Sequence, residues 1–275
     1  MRVQQDNIEA SQRRGSVSVA RQQQGVYKYK LRLAYNGFKY QGFQVAPTQV
    51  MSVSSNQHEI DTSRLMLGLN GLLPRDIRVK EFCRVPPDFS ARYSTLGKLY
   101  CYELHTEATE DPLLSHMRLH VAKPLNIFMM RAAAKAFVGS HDFTQFSSLQ
   151  SMGNAVRNPQ KTIKYFDIHE IPGGLRLAVY ASGFLYRQVR HMVGAIIGAG
   201  LGTVSKRTIL EFLALGSSVP LTGRQKPPWN TAAAKGLCLE AVDYPPHADI
   251  SLLMHPELLH DEHGRLVAEP VLSSE

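Results

Sequence analysis

The sequence predicts an α+β fold, a mixed and largely antiparallel sheet with helices packed against one face. Segments with a two-residue apolar period are interspersed with segments of helical period in no strict β-α-β order, which argues against a doubly wound parallel sheet. Two extended segments, 163–171 and 175–181, flank Pro172-Gly173-Gly174 and read as a hairpin. The 275 residues are 44% hydrophobic and 20% charged, ordinary globular usage in a chain long enough to bury a core without staples.

Each element has a local reason. Tyr27 to Tyr35 alternates, with Tyr29, Leu31 and Leu33 on one face and Lys28, Lys30 and Arg32 on the other, as a half-buried strand does. Asn36-Gly37 marks a turn. Residues 45–60 show no clear period. Leu65 to Leu73 reads as a short helix, with Asp61, Thr62 and Ser63 as caps and Pro74 as its stop. Ile77–Val85 and Lys98–His105 read as strands. In Leu125–Phe137, Met130, Ala133, Ala134 and Phe137 recur at helical spacing, and Gly139 closes the helix. Tyr186–Leu201 is the next helix, with Val189, Met192, Val193, Ile196 and Ile197 as its apolar stripe. A short helix at Thr208–Leu215 and a strand at Leu237–Val242 complete the order.

The bulk numbers narrow the partners. A net charge of +8 and a pI near 9.4 favour a polyanion. The longest apolar run, Met192 to Val204, is too short to span a bilayer, so no membrane partner is expected. Residues 1–25, rich in Gln, Arg and Ser, read as a disordered arm without the apolar core of a secretory signal. Asp6 and Glu9 disfavour an organellar leader, and a cytoplasmic or nuclear setting fits best. Cys83, Cys101 and Cys238 form no ligand cluster and read as buried free thiols of a reducing compartment. His255, His260 and His263 lie among acidic residues in what reads as a solvated tail.

Several stretches, in order, resemble the TruA-type tRNA pseudouridine synthase family. The first is Tyr35-Asn36-Gly37-Phe38-Lys39-Tyr40-Gln41-Gly42-Phe43-Gln44. The second runs through Asn70-Gly71-Leu72-Leu73-Pro74, Pro87-Asp88-Phe89-Ser90-Ala91-Arg92 and Lys98-Leu99-Tyr100-Cys101-Tyr102. The third is Gly139-Ser140-His141-Asp142-Phe143-Thr144-Gln145-Phe146. The fourth is Ala181-Ser182-Gly183-Phe184-Leu185-Tyr186-Arg187-Gln188-Val189-Arg190-His191-Met192, and Ala234-Lys235-Gly236-Leu237 follows near the end. The match covers about Tyr27 to Pro245.

The resemblance implies a pseudouridine synthase fold in two halves, 26–105 and 106–245, followed by a polar tail at 246–275. It implies tRNA as partner, no cofactor, and a homodimer. It implies that Tyr100 packs on the target base and that Arg190 pairs with the catalytic aspartate, lowering its pKa and fixing its direction. Arg92, Lys98, Arg187 and His191 are then the RNA-binding residues of a positive cleft on the face away from the helices. Read from the strand pattern alone, Tyr100 and Tyr102 face the same way and fit a core better than a site.

One departure stands out. The family carries a helix and a strand ending in G-R-T-D-x-G-V-H-A after the first motif, and that Asp is its nucleophile. Here only Val45, Ala46, Pro47 and Thr48 separate Gln44 from Gln49-Val50, and the chain holds no Arg-Thr-Asp. The resemblance implies that this block is missing as one piece, and that its loss leaves an unpaired edge or gap beside Tyr27–Tyr35. Asp88 and Asp142 read as turn or cap residues, not as replacements.

Overall fold

The computed structural model describes residues 27–37, 46–56, 60–148, 158–220, 222 and 226–246. The arm at 1–25, nearly all of the tail and positions 38–44 of the first motif lie outside the described residues.

The N-terminal half is a three-stranded antiparallel sheet. β1 (Tyr27–Tyr35) lies in the middle, between β2 (Ala46–Ser55) and β3 (Ile77–Val85). Leu31 stands opposite Met51 on one side and Phe82 on the other. The expected gap beside β1 is therefore absent. β2 returns antiparallel after residues 36–45 and takes that edge, which satisfies the backbone groups of β1. β2 falls where the sequence shows no period. It is an outer strand with Met51 to Ser54 all exposed, so neither face demands alternating side chains.

The polar side of β1 also departs from expectation. Lys30 is only 7% exposed. Its Nζ sits 2.8 Å from Glu81 Oε1, and Arg32 Nε reaches the other carboxylate oxygen at 3.0 Å. Lys28 Nζ donates to Pro87 O at 3.1 Å. The turn after β3 folds over this face, and Phe89 packs there on Tyr244 beside Cys83 and Val85.

Helix α1 (Thr62–Leu72) begins at Asp61, whose Oδ1 accepts from Arg64 N at 2.9 Å. Asn70 brackets the backbone of Val79: its Nδ2 donates to Val79 O at 2.9 Å and its Oδ1 accepts from Val79 N at 2.8 Å. No residue of α1 is buried.

The C-terminal half is a six-stranded sheet with spatial order β5-β4-β8-β7-β6, formed by β4 (Gly97–His105), β5 (Leu119–His120), β6 (Gly139–Asp142), β7 (Gln160–Ile171) and β8 (Gly174–Ala181). β9 (Leu237–Asp243) shares an edge of β4 with β5. The β7–β8 hairpin turns where expected. Gly173 has φ +71°, and a Cβ on Gly174 would fall 1.9 Å from Leu104 O, so both positions demand glycine. Gly139 does not close a helix. It opens β6 with φ +108°.

Helices α2 (Ile127–Ala136), α3 (Gln188–Gly200) and α4 (Lys206–Leu215) supply the core with β4, β7 and β8. Phe137, Phe143 and Phe146 are wholly buried, and Phe146 stacks on Trp229 at 4.8 Å between ring centres. Gln145, 1% exposed, donates from Nε2 to Gly216 O and Val219 O at 2.7 Å each, tying the third motif to the loop after α4. Among the described residues no helix is long and apolar enough to cross a membrane.

Candidate nucleic-acid site

Tyr100 and Arg190 reach one region from stretches far apart in the chain, both belonging to the six-stranded sheet and its helices. Tyr100 lies on β4 opposite Val179 of β8 and Leu239 of β9. Its ring meets that of Phe184 edge-on, 5.3 Å between centres. Phe184 belongs to the segment that leads into α3, and Arg190 lies in the first turn of that helix. Tyr102, two residues along β4 on the same face, donates from its hydroxyl to Ala233 O at 2.7 Å. Arg190 Nε donates to the adjacent Ala232 O at 2.6 Å, and Ala232 N donates back to Arg190 O at 3.1 Å. Segment 232–233 thus bridges the strand and the helix, and the guanidinium comes within electrostatic range of Tyr102.

Both residues lie on the helix-bearing face of the sheet, not on the opposite face where the cleft was expected. Tyr100 packs against the same core as α3. β1 comes close as well: its last residue, Tyr35, is coupled to Tyr100 and Cys238. Burial, then those two neighbours, push the Tyr35 hydroxyl up to about 12.

The start of α3 gathers positive charge. Burial, followed by the neighbouring Arg187, holds the Arg190 guanidinium below its ordinary value. Among the described residues no carboxylate forms an ion pair with it. Arg187 is the one non-glycine residue among them with positive φ, 60°, and it occupies the N-cap of α3 without a side-chain cap. Its guanidinium lies over the ring of Tyr186, 5.0 Å from the centre. Such left-handed strain costs about 1–3 kcal/mol and concentrates at functional sites.

The other expected contacts divide. Arg92 is exposed in the turn before β4, over the ring of Tyr93 at 5.2 Å. Lys98 is half-buried on β4, opposite Ala181 and Val242. His191 is a correction. It is 4% exposed, and its Nε2 is 2.9 Å from Ser148 Oγ. A ring that is buried and hydrogen-bonded has no free face for a phosphate, so His191 ties 148 to α3 instead.

The two other carboxylates behave as turn residues. Asp88 is exposed in the turn after β3. Asp142 accepts from Thr144 N and Oγ1 at 2.9 and 2.6 Å and from Ser217 N at 3.0 Å. Burial raises its pKa, but the hydrogen bonds from Thr144 and Ser217 outweigh this and leave the carboxyl below its ordinary value. Tyr102 is wholly buried in the core, as the strand pattern allows, and touches the region only through its bond to Ala233 O.

Residues 133–245 match the tRNA pseudouridine synthase family. The chain is 35% identical over 205 residues to tRNA pseudouridine synthase A 1 of Protochlamydia amoebophila, covering 62% of this chain and 80% of that protein. It is 34% identical over 201 residues to tRNA pseudouridine synthase A of Methylacidiphilum infernorum, 73% of this chain and 75% of that one. With the Moorella thermoacetica protein of the same name it shares 30% over 253 residues, 78% and 98% of the two chains. In the first comparison 62% of 275 residues is about 170, so the 205 matched positions include about 35 with no counterpart here. With this much of each relative covered at 30–35% identity, the chain belongs to the tRNA pseudouridine synthase A family.

Proposed function

We propose that this protein acts on tRNA as a pseudouridine synthase, with its site between β4 and the start of α3. The reaction breaks the C–N glycosidic bond of a uridine, turns the uracil and joins its C5 to the sugar. It needs a platform for the extruded base and a cation that holds a carboxylate ionised and aimed. Tyr100 is the platform and Arg190 the cation. Their meeting through Phe184 and the 232–233 segment is the observation that carries the reading. Arg92, Lys98 and Arg187 contact phosphates, so binding weakens as salt rises. Homodimerisation is part of the same proposal and is read by sizing.

Two observations favour a second reading, in which the chain binds tRNA without turning it over. The chain has no Arg-Thr-Asp, and Arg190 forms no ion pair with a carboxylate among the described residues. The positions without a counterpart against the Protochlamydia protein are in line with an internal loss. Losing an essential carboxylate commonly costs several orders of magnitude in rate.

A single assay separates the two: tritium release from tRNA labelled at uridine C5, with filter binding in parallel. Turnover that falls with Tyr100→Ala or Arg190→Ala supports the synthase. Salt-sensitive binding without release, with release restored by inserting the missing segment, supports the second. Neither binding nor release would overturn both.

A further inference from the structure

Cys101 and Cys238 are direct partners in the antiparallel ladder between β4 and β9. Directly opposed residues point to the same face of a sheet. In such pairs the Cα atoms lie about 4.5–5.5 Å apart, inside the about 4.4–6.8 Å that a disulfide spans. Both thiols are reduced. They share polar surroundings, since Glu240, Glu103 and Arg176 act on each of them and Cys101 acts on Cys238. Tyr165 also lies within electrostatic range of Cys101, and Tyr35 of Cys238. The third cysteine, Cys83, belongs to the other sheet, where it packs with Val85 and Phe89.

We infer that Cys101 and Cys238 form a latent cross-strand disulfide site that oxidised low-molecular-weight thiols close, stapling β9 to the strand that carries Tyr100. Cys238 is half-buried and Cys101 is 3% exposed, so Cys238 reacts first. Its thiolate attacks a glutathione disulfide, forming a mixed disulfide and releasing one glutathione thiolate. Cys101, deprotonated, then attacks the Cys238 sulfur and expels the second glutathione. Two protein thiols are oxidised, one small disulfide is reduced to two thiols, and the two protons pass to the departing glutathiones.

Reactivity is restrained by these surroundings. Burial, reinforced by Glu240, pushes the Cys101 thiol up to about 11 and the Cys238 thiol up to about 12. Arg176 opposes this in both cases without reversing it. The thiolate is therefore scarce at neutral pH, and closure speeds up about tenfold per pH unit between 7 and 10. The staple encloses most of the C-terminal half, so closing it raises the thermal midpoint by about 5–10 °C.

The full chain is incubated with oxidised glutathione at pH 7 to 10, alkylated with iodoacetamide, digested and read by mass spectrometry. The expected product is one intramolecular link between the Cys101 and Cys238 peptides, with Cys83 alkylated, the stated pH slope, and a midpoint shift reversed by dithiothreitol. Cys83→Ala leaves the link intact, and Cys238→Ser removes it. A glutathione adduct at Cys238 that never resolves would overturn the inference. So would a link through Cys83, cross-linked dimers only, or three alkylatable thiols at pH 10.

Discussion

Helices α3 and α1 are similar in length and differ in what holds them. Eleven of the thirteen residues of α3 are buried, and none of the eleven of α1. α3 is anchored by area removed from water, at about 25 cal/mol per Å². α1 is held by an aspartate cap and by an asparagine bracketing one backbone position. The same contrast extends to the halves. The C-terminal sheet shares a continuous core with three helices, whereas the buried cluster of the N-terminal sheet is Cys83, Val85 and Phe89. The family match, 133–245, falls within the well-packed half. Packing thus fixes the unit that carries Arg190, while the three-stranded sheet combines a smaller buried cluster with a few polar contacts.

The contrast can be broken most forcefully at Phe146. Phe146→Ala removes a wholly buried ring that stacks on Trp229 and meets Phe137, and should cost about 3–5 kcal/mol in urea unfolding. A cost below about 1 kcal/mol would show that the C-terminal core is not one unit.

An intermediate effect is expected at Glu81. Glu81→Ala removes the carboxylate shared by Lys30 and Arg32. Cutting one partner from a fully buried pair costs about 3–5 kcal/mol, and because Glu81 keeps 28% of its side chain in solvent, the loss here should be about 2. Adding Lys30→Met should recover most of it, because an apolar residue then fills the site. No recovery would mean that Glu81 acts through something other than Lys30.

The smallest effects sharpen the comparison inside α1. Asn70→Ala should cost about 1–2 kcal/mol, since Val79 loses both side-chain hydrogen bonds. Leu72→Ser, at a side chain 88% exposed, should stay within about 0.5 kcal/mol. If Leu72 proves the more costly of the two, α1 has an apolar partner and is not held by polar contacts alone.

Much of this was legible in the sequence. The bounds of β1 and β3, the β7–β8 turn and the stripe of α3 follow from period and punctuation, because in these elements one face is consistently buried and selects apolar residues at fixed spacing. β2 was not legible, since its middle residues are exposed on both faces and carry no pattern. β6 was hidden by Gly139, whose positive φ serves a strand start as readily as a helix stop. Tyr100 and Arg190 came from the resemblance and not from physics, because a tyrosine on a strand and an arginine on a helix edge are ambiguous taken alone.

By itself the sequence determined the α+β class, the order of nearly all elements, the family, and the absence of an Arg-Thr-Asp motif. Each of these is written in local spacing or residue identity. Only the tertiary structure decided that β2 fills the edge of β1, that Lys30 lies under the 86–89 turn, that His191 is buried against Ser148, and that Cys101 faces Cys238. These depend on which distant segment covers which face, and period reports that a face is covered without naming what covers it.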